Sequence, residues 1–121
     1  MIYTSYFANV SKLPSNICAI SISAKPPAKW KGPQYKVIAP TYEILSAWKA
    51  GEIDEEIYKR RFKAEVLDKQ KAENVVKILK QIAGKKDVCL CCYEKPEDFC
   101  HRHEVSKWLN ENGFECKEYQ F

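Results

Sequence analysis

The chain has 121 residues, of which 45% are apolar, 30% charged and 12% aromatic, a profile that fits one folded α/β or similar domain and excludes a disordered tail. Its uninterrupted apolar stretches are only a few residues long, against the ~20 a membrane helix needs, and Met1-Ile2-Tyr3-Thr4-Ser5 lacks the basic and apolar regions of a secretion leader, so the sequence reads as cytoplasmic with no membrane partner. Twenty Lys and Arg against 16 Asp and Glu leave a net charge of +4, which tolerates anionic ligands but does not define a nucleic-acid binder.

In chain order, Ile2 to Phe7 is rich in β-branched and aromatic residues, and Ile17 to Ile22 is a short apolar run bounded by Pro14 and Pro26-Pro27. Both read as buried strands. From Ser23 to Pro40 the composition turns to Pro, Lys and aromatics, which predicts a long loop with at most a short strand at Lys36 to Ala39. Thr41 is placed to cap a helix carrying Ile44, Leu45 and Trp48 on one side, with Gly51 positioned to end it. A second helix from about Asp54 has the stripe Ile57, Tyr58, Phe62 and Val66; a third from about Lys69 to Ala83 has Val75, Val76, Leu79, Ile82 and Ala83, and the two are close enough to merge. Asp87 to Tyr93 is apolar almost throughout, as expected of a central strand covered on both faces of a parallel sheet. A further helix, with Asp98 as its expected cap, carries Val105, Trp108 and Leu109 and closes at Asn112-Gly113. Phe114 to Phe121 suits an edge strand. Residues 1–121 therefore predict a single three-layer α/β domain with a mostly parallel sheet, Rossmann-like or flavodoxin-like.

Six cysteines without a secretion leader point to thiol chemistry or a metal before structural disulfides. Cys18 and Cys116 stand alone. Cys89, Cys91, Cys92 and Cys100 fall within twelve residues, and His101 and His103, the only histidines, follow directly. Ligands of open α/β sheets collect at strand carboxyl ends, where Cys92 should lie, with Cys100-His101-Arg102 in the first turn of the next helix. His101 and Arg102 continue the buried stripe of Val105, Trp108 and Leu109, an expensive place for polar groups unless an anion or acid meets them. At Cys100 a helix N-terminus, an imidazole and a guanidinium all favour a thiolate, and the same three groups would bind phosphate. Glu94 is either a general acid or base, or the carboxylate that satisfies Arg102. Cys18, Cys89, Cys91 and Cys116 read as packing residues. Zinc on Cys92, Cys100 and His101 or His103 lacks the usual paired Cys-x-x-Cys knuckles, and a reversible Cys92–Cys100 disulfide stays open beside it.

Leu90-Cys91-Cys92-Tyr93-Glu94-Lys95-Pro96, followed after a short spacer by Phe99-Cys100-His101-Arg102, resembles the signature of the domain of unknown function 488 family: an apolar strand ending in Cys-Tyr-Glu-Lys and then Cys-His-Arg. Ala39-Pro40-Thr41 with Ile44-Leu45, Gly51-Glu52-Ile53, and Tyr58 with Phe62 are similar to the middle of the same family. The resemblance implies that Cys92, Glu94, Cys100, His101 and Arg102 form the motif, with Pro40 and Tyr58 as auxiliary positions. Phe62 stands where a tyrosine is expected, and Ser21 lies where many members have an acidic and a basic residue.

The loop from Lys25 to Lys36 interleaves four lysines with Trp30 and Tyr35, so that a ring could stack on Trp30 while Lys29 meets a phosphate. Its alternative is a Trp packed down on the core. Lys59-Arg60-Arg61 with Lys63 reads as a solvated face or a weak nucleic-acid contact. With four glycines there is no material for a phosphate-binding glycine fingerprint. The sequence thus predicts a phosphorylated or nucleotide-like small-molecule ligand at a Cys/His/Arg site, with thiol catalysis by Cys100 or Cys92 and proton transfer by His101 and Glu94. The alternatives are a non-catalytic binding module and a small zinc or redox thiol site. No cofactor or resident metal is assigned.

Overall fold

A computed structural model describes residues 1–121. Four strands, β1 (Ile2–Tyr6), β2 (Ile17–Ser21), β3 (Asp87–Cys92) and β4 (Cys116–Glu118), form one all-parallel sheet in the order β2-β3-β1-β4. The continuous apolar run of β3 is explained by its central place between β2 and β1, where both faces are covered.

Strand order and the right-handed crossover rule determine which face each connection covers. β1 to β2 runs one way across the sheet, whereas β2 to β3 and β3 to β4 run the other way. The latter two connections carry the α-helices: α1 (Tyr42–Lys49), α2 (Glu55–Glu65) and α3 (Ala72–Ala83) between β2 and β3, and α4 (His101–Glu111) between β3 and β4. Their buried residues Ile44, Phe62, Leu79, Val105 and Leu109 share one core with Ile2, Ile20, Val88 and Leu90. The opposite face receives only a 3-10 helix at Phe7–Lys12, whose Phe7 and Val10 pack with Tyr3 and Leu13 on Ile17, Cys89 and Cys91. The three layers are therefore very unequal. No helix is long and apolar enough to cross a membrane.

The caps behave as their chemistry requires. Thr41 Oγ1 accepts from Ile44 N–H and Asp54 Oδ1 from Ile57 N–H, while Gly51 and Gly113 turn the chain at φ 73° and 87°. Several local expectations are corrected. Lys36–Ile38 is a 3-10 turn rather than a strand: the pairing edge of β2 is met instead at Gln34, bridged to Ser21. α2 and α3 do not merge, because Leu67, almost fully buried, draws Leu67–Lys69 into a 3-10 turn and α3 starts at Ala72. Ile82 is 36% exposed instead of facing the core. Asp98 does not cap α4: Cys100 takes the N-cap position two residues later with an extended backbone and no capping hydrogen bond from its side chain. Only Cys116–Glu118 of the last segment pairs with the sheet.

Candidate functional site

The alternation of a strand sends Cys91 and Cys92 to opposite faces, and Cys92 ends β3 on the helix side. Cys100 caps α4 directly above it, and the two sulfurs are joined as a disulfide. The next two residues pin the helix to the sheet. His101 is buried and its Nε2–H donates to the Ile22 carbonyl at 2.8 Å, at the end of β2. Arg102 is fully buried and reaches the other way, toward β4.

Arg102 has little donor capacity left for a ligand. Its Nε and Nη2 donate to the two carboxylate oxygens of Glu118 at 3.1 and 3.0 Å, a bidentate pair. Nη1 donates to the Glu94 carbonyl at 2.5 Å and lies 3.2 Å from Cys92 Sγ. Thr4 Oγ1 donates to Glu118 at 2.6 Å, and Tyr6 lies under the guanidinium at 5.9 Å. The expectation that Arg102 holds an external anion is thus corrected. Its partner is a carboxylate of the chain, which repays the desolvation of a buried cation. That partner is not the carboxylate of Glu94, which supplies its backbone carbonyl instead.

The three influences expected at Cys100 separate for the same reason. The guanidinium faces Cys92 rather than Cys100. Burial lowers the His101 imidazole to about 4, with the Ile22 bond opposing and Arg102 assisting, so it is neutral at pH 7 and puts no positive charge beside the thiol. Its Nδ1 lies 3.9 Å from Cys100 Sγ. Only the helix N-terminus remains at Cys100, while Cys92 gains the cation. The Glu94 carboxylate lies 3.8 Å from Cys92 Sγ, within reach for proton exchange with a reduced thiol.

A cavity of about 120 Å³ opens beside the disulfide, lined by Ser23, Ala24 and Lys25 after β2, by Tyr93 and Glu94 after β3, by Cys92, Cys100 and His101, and by α1 and α2 through Leu45, Trp48, Lys49 and Tyr58. Pro40 and Tyr58, singled out from the sequence, are both in this wall. Trp48, Tyr58 and Phe99 meet edge to face or tilted, with centroids 4.9 to 5.5 Å apart. Burial raises the Tyr58 phenol, with Glu94 and Glu104 adding to it, so it stays protonated.

Lys29 and Trp30 do not join the cavity. Trp30 packs on Phe7 at 5.1 Å and donates Nε1–H to the Pro33 carbonyl, which places its ring with the thin layer of the domain. Lys29 is exposed. The basic stretch of α2 is partly spent as well, Arg61 on Glu65 and Lys63 on Asp68. Cys92, Cys100 and His101 each bring one donor atom within 4.8 Å of the others. This set suits a soft divalent ion when the thiols are reduced; with the sulfurs joined it is committed to the disulfide.

Glu118 and Thr4 were not legible as site residues. Glu118 sits in a mixed polar segment with nothing in its spacing to link it to Arg102, and the only available clue was that a buried arginine demands a carboxylate.

Fold and site together define a small parallel α/β domain with a cysteine pair at the carboxyl ends of its strands. The chain matches the DUF488-N3a family, described as the active DUF488-N3 subclade, over residues 9–113, and it belongs to that family. No curated protein and no solved structure matches it.

Proposed function

We propose that the chain is a thiol–disulfide redox catalyst for a small substrate, with Cys92 as nucleophile and Cys100 as its resolving partner. The observation that carries this reading is the Arg102 guanidinium 3.2 Å from Cys92 Sγ at a fully buried position, since a fixed cation beside a sulfur favours its thiolate form once reduced. In the reaction Cys92 thiolate attacks one sulfur of a low-mass disulfide, forming a mixed disulfide and expelling the other half as a thiolate. Cys100 thiolate then attacks Cys92 Sγ, releasing the second half and closing the Cys92–Cys100 bond. A dithiol reductant of the cytoplasm, where we place the protein, returns both cysteines to thiols by the same exchange. Glu94 carries the proton of the resting Cys92 thiol. His101 orients α4 over β2, and its Nδ1 accepts from Cys100. The phosphorylated or nucleotide-like ligand expected from the sequence is narrowed by size. The cavity is well below the roughly 300 Å³ of a drug-sized pocket, so only the reacting end of a larger molecule enters.

The test is to treat the reduced protein with hydroxyethyl disulfide and follow mass and free thiols. Wild type is expected to lose two thiols and retain no adduct, Cys100→Ser to stop at a mixed disulfide on Cys92, and Cys92→Ser to react no faster than an ordinary thiol. A Cys92→Ser variant that reacts like wild type overturns the assignment.

A further inference from the structure

The wall of the cavity contains polar groups that the thiol chemistry leaves unused. Tyr58 is only 3% exposed, and its hydroxyl makes no hydrogen bond within the protein. That hydroxyl is not among the polar atoms sealed away from solvent, so it reaches the open space of the cavity, where a partner can stand. Because burial keeps the phenol protonated, it offers a donor. Lys25 and Lys49 line the same cavity, and neither forms an ion pair. The backbone of Lys25 is clamped: its N–H donates to Ser23 Oγ, and its carbonyl accepts from Ser23 Oγ–H and from Tyr93 Oη–H at 2.6 Å. The base of that lysine is therefore fixed at the mouth. The one carboxylate in the wall is Glu94, beside the sulfur; Glu104, outside the wall, also acts on the Tyr58 phenol, while His101 is neutral. The remaining wall is apolar, with Pro40, Leu45, Trp48 and Phe99.

From this set of groups we infer that the cavity selects a small organic monoanion: a substrate with a carboxylate or similar group held by Tyr58 Oη–H, Lys25 and Lys49, a short apolar body against Trp48 and Phe99, and its electrophilic atom at Cys92. The inference rests on the thiol reading for the electrophile but not for the anion.

Iodoacetate and iodoacetamide separate the two, because they are nearly equal in size and differ in charge. In each case the Cys92 thiolate forms a C–S bond as the C–I bond breaks and iodide leaves with the electron pair. The rate ratio of iodoacetate to iodoacetamide at Cys92, read from its peptide, is expected to exceed that of free mercaptoethanol by at least about tenfold at low salt, the lower end of what a charged cleft supplies. Lys25→Gln with Lys49→Gln should bring the ratio back to that of the free thiol, and Tyr58→Phe should lower it about threefold, as for one lost hydrogen bond. A ratio equal to that of mercaptoethanol, or one that the lysine variants leave in place, overturns the inference. If Cys92 reacts slowly with both reagents, the nucleophile assignment fails, and propionate against propionamide decides the anion separately. Saturable shifts of the Tyr58 and Lys25 amide resonances with propionate alone support it, and equal or absent responses overturn it.

Discussion

Cys91 and Cys92 are neighbours on one strand with opposite fates. Cys91 faces the thin layer, where its thiol donates toward the Cys89 carbonyl at 3.5 Å and lies 3.9 Å from Cys89 Sγ; the hydrogen bond from Cys91, followed by burial, pushes the Cys89 thiol up. No charged group is built into that cluster of Ile17, Tyr3, Phe7 and Val10. Cys92 faces the helical layer, where Arg102, Glu118, Glu94 and Cys100 surround it. A one-residue step along β3 thus separates a packing thiol from a reactive one. Reactivity in this strand is a property of the face.

The largest expected effect comes from removing the cation that distinguishes the two faces. Arg102→Met leaves Glu118, itself largely buried, without its bidentate partner and strips a donor from the Glu94 carbonyl. Breaking one side of a buried pair costs about 3–5 kcal/mol. The urea midpoint at pH 7 should fall accordingly, and alkylation of reduced Cys92 should slow toward the rate of Cys18. A loss below about 1 kcal/mol, the range of a surface pair, would mean that the network does not stabilise α4 on the sheet.

The next effect is set by His101. Its folded value of about 4 lies below the ordinary 6.5, so the unfolded chain binds the proton first. The stability it contributes is complete above about pH 6.5 and is lost as the pH falls toward 4, in total about 3 kcal/mol by linkage. His103, lowered chiefly by its burial, works in the same direction. The measurement is the difference in unfolding free energy between wild type and His101→Gln at pH 7 and at pH 4.5, which cancels the carboxylates common to both. The two curves should converge on acidification. Parallel curves would show that the imidazole is not held neutral.

How far this contrast was legible in the sequence depends on the range of the interactions. The strands, the Thr41 cap, the start of α2 near Asp54, the α4 stripe and the place of β3 follow from period and local chemistry, which a sequence displays directly. The buried placement of His101 and Arg102 was legible for the same reason, as both lie on the stripe of Val105 and Leu109. Their partners were not. The Ile22 carbonyl and Glu118 reach them from strands far apart in sequence or across a turn, and no local signal encodes which carboxylate a buried arginine will find. Trp30 misled because an aromatic among lysines has the same composition whether it stacks on a ligand or on Phe7. The helix of Phe7–Lys12 was hidden because its only hydrophobic purpose is to cover Cys89 and Cys91.

The smallest effect tests the other side of the contrast. Cys91→Ala removes a buried sulfur from the thin layer and should cost about 1 kcal/mol, the common value for a core truncation of this size. The change breaks only the weak S–H contacts to Cys89, since Ser5, the register neighbour on β1, already holds a buried hydroxyl with no partner. Because Cys91 points away from Arg102 and from the cavity, the alkylation rate of reduced Cys92 and the closing of its bond to Cys100 should stay within experimental error of wild type. The same experiment on Cys89→Ala should agree. Were either substitution to slow Cys92 as strongly as Arg102→Met does, the two faces would share one chemistry, and the buried Cys89–Cys91 thiols would have to be counted as part of the site rather than of the core.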